Sequence, residues 1–150
     1  YDRYIVDEVL PLSRQRNDNP FLMAAGASFG AYHAMNFALR HPDITNRVIA
    51  MSGLYDIERW AGDYRDDNLY YNCPCLYIPN ESDEARLRLL RQLDIIMAIG
   101  REDPNIANNR WLSGALWGKG IGNALREWDG WAHDWPWWLK MIQLYIGGHD

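Results

Sequence analysis

Apolar residues fall along this chain in two spacings. Short unbroken runs occupy residues 21–25 (FLMAA), 47–51 (RVIAM) and 94–99 (DIIMAI). Runs of that length fit strands buried on both faces of a parallel sheet. Between them, apolar positions recur every three or four residues, the spacing of a helix face. Residues 2–14 carry Ile5, Val6, Val9, Leu10 and Leu12, with Pro11 expected to kink or end the helix. Residues 17–20 (NDNP) read as a turn. Residues 29–41 keep helical spacing at Ala34, Met35, Ala38 and Leu39, and His41-Pro42 stops them. Ser82 reads as the N-cap of a helix reaching about Gln92, with Asp83 and Glu84 in its first turn. A further helix is predicted over 106–118 and a fourth strand over 124–128. Pro136 suits the first position of a last helix, which carries Leu139, Ile142 and Ile146 and ends at Gly147-Gly148. Residues 53–82 show no period. They hold Tyr55, Trp60, Tyr64, Tyr70, Tyr71 and Tyr77 and are expected to form a long functional loop or lid. Strand and helix alternate throughout, which predicts an α/β fold: a parallel sheet flanked by helices, in a single domain over 1–150.

Composition narrows the function. The chain has 150 residues, 48% of them apolar and 23% charged, which is ordinary for a globular protein and unlike a disordered one. The net charge is −5 with no basic block, which argues against a nucleic-acid partner. No run approaches the roughly 18 apolar residues of a membrane span. There is no signal-peptide pattern, and the expected location is cytoplasmic. Cys73 and Cys75 flank Pro74, a spacing too strained for a disulfide between them, and no other Cys could complete a zinc site. They read as incidental thiols.

The chemistry centres on Gly26-Ala27-Ser28-Phe29-Gly30, a G-x-S-x-G pattern. The bare pattern is weak, with about 0.05 chance matches in a chain of this size. Its context is specific: it follows a predicted strand and opens a predicted helix, the setting of a nucleophile elbow. A serine on so tight a turn calls for glycine at 26 and 30, where side chains would collide with neighbouring strand and helix. The helix N-terminus favours negative charge developing near Ser28. A serine hydroxyl needs a base, and the base an orienting acid; here the chain order would be Ser, acid, His. His133 lies in the loop after the fourth strand, where it can reach over the strand ends. His33 and His41 belong to the helix after Ser28, and His149 is almost terminal. Asp103, just after the third strand, is the candidate acid. Glu102 is its main rival and Asp56 another.

With these residues in view, the sequence resembles the putative-esterase group of α/β-hydrolases, the esterase-D-like and enterochelin-esterase-like serine hydrolases. The resemblance rests on residues 26–34 (GASFGAYHA), 72–79 (NCPCLYIP), 100–104 (GREDP) and 132–136 (AHDWP). It implies Ser28 as nucleophile, Asp103 as acid, His133 as base and the Phe29 N–H as an oxyanion donor. It implies no metal or organic cofactor. The expected activity is hydrolysis of short-chain carboxylic esters through an acyl-enzyme.

The resemblance covers nearly all of this chain but only the C-terminal part of such a protein. The family has further strands upstream, and these carry a second oxyanion donor that nothing here matches. Losing one such donor costs roughly 100–1,000-fold in rate. The elbow strand would also be left with a bare outer edge, a pairing hazard. A second copy of this chain, or an upstream fragment, is expected to cover it. The competing expectation is a half-hydrolase without independent activity that serves as an assembly or binding module. Trp128, Trp131, Trp135, Trp137 and Trp138 cluster around His133, most of them as packing. Trp131 and Trp135, nearest the histidine, are the two expected to touch substrate, and the Tyr-rich segment 55–77 would wall an acyl pocket.

Overall fold

In the computed structural model, which describes residues 1–148, four strands form one parallel sheet in the order β1-β2-β3-β4. β1 is Met23–Ala27, β2 Arg47–Met51, β3 Asp94–Gly100 and β4 Ala124–Trp128. Registers run Ala25↔Ile49, Ile49↔Ile96 and Ala98↔Arg126, so the C-terminal ends of all four strands open on one rim. A helix follows each strand, as the alternation requires: α3 (Phe29–Arg40) after β1, α8 (Ile106–Gly118) after β3 and α9 (Trp135–Tyr145) after β4.

Period-two alternation in the central strands splits the core. Val48, Ala50, Ile95 and Met97 face one side, where they pack with Met35 and Leu39 of α3 and Leu112 and Leu116 of α8. Ile49, Met51, Ile96 and Ala98 face the other, where Met141 and Tyr145 of α9 join Trp128, Trp137 and Trp138. The tryptophan cluster is therefore mostly packing, as its composition suggested. β2 and β3 are buried on both faces. β1 is not. It begins two residues later than its apolar run, is only half-buried, and leaves Ala25 exposed, because it pairs with β2 alone.

Two local expectations change and one is narrowed. Of the two outcomes expected at Pro11, a kink or an end, the helix does not end there. The backbone runs on through α1 (Asp2–Tyr4), a π-helical turn (Ile5–Val9) and α2 (Leu10–Arg16). The Leu10 N–H donates to the Ile5 carbonyl, one residue further back than in an α-helix. That wider turn relieves the clash a proline ring makes with the preceding turn. Segment 53–82 is no open loop. It folds into α4 (Glu58–Ala61), α5 (Asp67–Asn72) and α6 (Pro74–Asn80). Asp66 caps α5 by accepting the Leu69 N–H at 2.9 Å, and Pro74 opens α6. Finally, Asp83 and not Ser82 caps α7 (Glu84–Leu90), accepting the Ala85 N–H at 2.8 Å.

Candidate active site

Ser28 joins β1 to α3 with φ 54° and ψ −118°, a strained turn for a residue with a side chain. Its N–H donates to the Met51 carbonyl at 2.8 Å, which ties the turn to the end of β2. Gly26 is sterically required: a Cβ there would collide with the Gly30 carbonyl and lie 2.9 Å from the Ala31 nitrogen. Gly30 is not. A Cβ at Gly30 would meet nothing within 4 Å, because it points toward an open groove beside β1. The expected collision at that position does not occur.

His133 and Asp103 converge on Ser28 from two other strand ends. His133 Nε2 lies 3.1 Å from Ser28 Oγ, and His133 Nδ1 lies 2.6 Å from Asp103 Oδ2. Asp103 is fully buried, and its second oxygen accepts the Asn105 N–H at 2.9 Å. A hydrogen-bonded carboxylate so placed favours the Nδ1–H tautomer, which leaves Nε2 to face the hydroxyl. Two backbone bonds bring the segments together: Arg101 N–H to Trp128 O at 2.8 Å and Glu102 N–H to Gly130 O at 3.0 Å. Gly100 allows this approach, since a Cβ there would collide with the Trp131 carbonyl. Gly100, the last residue of β3, is thus required for the loop that carries His133 to reach Asp103.

The rivals lie elsewhere. Glu102 is exposed. Asp56 accepts the Glu58 N–H at 3.1 Å and faces Cys73. His41 pairs with Asp2 at 2.9 Å, and His33 packs edge-on against Phe29, its pKa held below the usual histidine value mainly by burial. His149 lies outside the described residues.

A cleft of about 540 Å³ opens over Ser28, lined by Phe29, Ser52, Leu54, Trp60, Asn105 and His133. The Phe29 N–H is the first amide of α3 and so has no intrahelical acceptor. Phe29 and Trp60 meet edge-to-face at 5.5 Å to form an aromatic wall. Of the two tryptophans expected at substrate, Trp131 stacks on the His133 ring at 5.4 Å. Trp135 packs on Trp138, is 71% exposed and does not line the cleft. Trp60 and Leu54, not the tyrosines, are what segment 53–82 brings to the wall. Tyr55 and Tyr77 are buried in the core. Among the described residues no group of three His, Cys, Asp or Glu side chains is arranged to hold a metal ion.

A parallel α/β sheet with a strained strand-to-helix serine at its C-terminal rim defines an α/β-hydrolase fold. The chain belongs to the family described as "Putative esterase", whose model matches residues 1–143. Among solved structures it is similar to a ferulic acid esterase, with 26% identity and TM-score 0.79 over 95% of this chain and 57% of that one. It is also similar to an S-formylglutathione hydrolase from Agrobacterium tumefaciens, with 19% identity and TM-score 0.67 over 93% and 52% of the two chains. A third is a fluorophosphonate-binding serine hydrolase from Staphylococcus aureus, with 16% identity and TM-score 0.63 over 92% and 60%. The chain thus spans between half and three fifths of these proteins' length. No curated protein matches the sequence.

Proposed function

We propose that this chain carries the reacting residues of a serine carboxylesterase acting on short-chain esters. The observation that carries the reading is the unbroken contact chain from Ser28 through His133 to Asp103, at 3.1 and 2.6 Å. Ser28 Oγ attacks the ester carbonyl carbon while His133 Nε2 takes the hydroxyl proton. The oxyanion of the tetrahedral intermediate accepts the Phe29 N–H, aided by the N-terminus of α3. Collapse expels the alcohol, which leaves with the proton held by His133. Water then attacks the acyl-Ser28 ester with His133 again as base, and the acid departs. Asp103 keeps Nδ1 protonated and stabilises the imidazolium. The wall of Phe29, Leu54 and Trp60 receives the acyl group, Trp131, stacked on the His133 ring, is the proposed outer contact with substrate in place of the expected pair Trp131 and Trp135, and no cofactor takes part. An aromatic acid, as in the name of the ferulic acid esterase, also suits the Phe29–Trp60 wall. A p-nitrophenyl series from acetate to cinnamate would rank the two.

The test is hydrolysis of p-nitrophenyl acetate by the chain beside Ser28→Ala and Asp103→Asn. Ser28→Ala is expected to fall to the blank rate and to lose labelling by a fluorophosphonate. Asp103→Asn is expected to lose about 10,000-fold in kcat. Unchanged hydrolysis by Ser28→Ala would sink the reading.

One observation favours a second reading, a half-hydrolase that works only in an assembly. β1 pairs on one side only and leaves Ala25 exposed. A second copy of this chain or an upstream segment would cover that edge and could bring the second oxyanion donor. No activity in the isolated chain, restored by such a partner, is the outcome that reading expects.

A further inference from the structure

Among the described residues, three with side chains have positive φ: Ser28 at 54°, Ser52 at 53° and Ala132 at 45°. Ser28 and Ser52 directly follow β1 and β2, Ala132 lies in the loop between β4 and α9, and all three meet around His133. Strain of this kind persists only where surrounding structure holds it, and it gathers at functional sites. Ser28 has a role in the proposed reaction. Ser52 has none so far.

Ser52 follows β2 and is fully buried. Glycine would adopt its backbone conformation without strain, yet the chain keeps a hydroxyl there. The Ser52 N–H donates to the Ala98 carbonyl at 2.7 Å, which fixes the residue to β3. Its Oγ donates to the Ala132 carbonyl at 3.2 Å, one residue before His133. The same oxygen accepts the Trp138 Nε1–H at 3.1 Å. Trp138 in turn packs edge-on against the His133 ring, with centroids 5.4 Å apart. One hydroxyl therefore joins the end of β2, the loop carrying His133 and the first turns of α9.

We infer that Ser52 is a positioning residue for His133: its hydroxyl holds the Ala132 peptide and the Trp138 indole that together set the plane of the imidazole. The inference rests on the reading of His133 as the base. Ser52 has no part in bond making, because its hydroxyl hydrogen is committed to Ala132 and its oxygen to Trp138.

The experiment is NMR of the histidine and indole N–H groups in the wild-type chain, Ser52→Gly and Ser52→Cys. Ser52→Gly removes the CH2OH group with its two hydrogen bonds but relieves the backbone strain at φ 53°, and the two effects are expected to offset, so that the thermal midpoint holds. The His133 Nδ1–H signal is expected to broaden or vanish, and the Trp138 indole N–H to exchange about tenfold faster with solvent, the equivalent of one lost hydrogen bond. The His41 ring, paired with Asp2, is the internal control and stays unchanged. Ser52→Cys, which keeps a weak donor and acceptor, restores part of the His133 signal. In steady-state kinetics Ser52→Gly loses about tenfold in kcat with KM nearly constant, since a misaimed base affects the proton transfer and not binding. A wild-type His133 signal in Ser52→Gly overturns the inference, with or without a lower thermal midpoint. If Ser52→Gly does not fold, Ser52→Ala takes its place with the same expected signals. Failure of the esterase reading shows separately, as hydrolysis that survives Ser28→Ala.

Discussion

At the elbow, two glycines that the pattern treats alike have opposite surroundings. A Cβ on Gly26 would strike the Gly30 carbonyl, which is backbone and cannot swing away. Gly26→Ala must push β1 and α3 apart, a form of overpacking worth about 1–3 kcal/mol. A Cβ on Gly30 would meet open space. Gly30→Ala instead replaces a flexible residue in the first turn of α3 and is expected to be neutral or to stabilise by up to about 1 kcal/mol. Urea denaturation of the two variants reads the difference directly, and equal midpoints would contradict it. The same scale explains what sequence could tell about the site. The convergence of Ser28, Asp103 and His133 was partly legible: strand ends and chain order restrict where a serine, an acid and a histidine can meet, but only the folded geometry separates Asp103 from its exposed neighbour Glu102 and from Asp56. Ser52, Gly100 and Trp60 were not legible, because each depends on a contact made only in three dimensions: a peptide 80 residues away, a backbone collision with Trp131, and a ring facing Phe29.

Among the elements, the long apolar runs announced themselves and the short helices did not. β2, β3, α3 and α8 match their patterns within a residue or so, the two strands because each is an unbroken apolar run and the two helices because 12 and 13 residues are enough to show a 3.6-residue period. The helices α4, α5 and α6 have four, six and seven residues, too few turns for a 3.6-residue repeat to emerge. Only Asp66 and Pro74, a cap and a helix opener, marked them. Their packing has a measurable consequence at Cys73, which joins α5 to α6, and at Cys75 in the first turn of α6. Cys73 is buried against the Tyr55 carbonyl, and Cys75 takes the Asn108 side-chain N–H at 3.5 Å. Burial pushes the Cys75 thiol up to about 12 and raises Cys73 as well. Both are free thiols, yet at pH 8 almost none of Cys75 is in the reactive thiolate form and Cys73 carries less thiolate than an ordinary cysteine. Native protein is therefore expected to resist iodoacetamide at pH 8 and to take two labels once unfolded in urea. Fast labelling of the native chain, read by intact mass, would mean that segment 53–82 opens as the loop its sequence suggested.

For the molecule as a whole, the open question is the outer edge of β1. An unpaired parallel strand presents N–H and C=O groups to solvent, and natural sheets protect such edges with charge, proline or a covering element. β1 (MAAGA) has none of the first two. Beside it runs an apolar groove of about 370 Å³ whose walls include Ile5, Val9, Leu22 and Met23. The residues lining the groove include no Asp, Glu, Lys or Arg, although Asp7 and Glu8 lie on the same helical segment as Ile5 and Val9. The chain is therefore expected to associate, and light scattering should give a mass above 17.5 kDa that rises with concentration. Ala25 is exposed at the middle of the strand, where a charge would lie against any chain that pairs there. Ala25→Lys is expected to return the protein to a monomer while leaving its thermal midpoint within a few degrees. A wild-type chain that stays monomeric at high concentration would remove self-association as the cover. The same pair of samples then bears on catalysis. Ester hydrolysis that falls together with mass in Ala25→Lys would mean that the partner completes the oxyanion hole around Ser28. Hydrolysis that persists in the monomer would mean that the Phe29 N–H and the N-terminus of α3 hold the oxyanion alone, at the lower rate that a single donor supports.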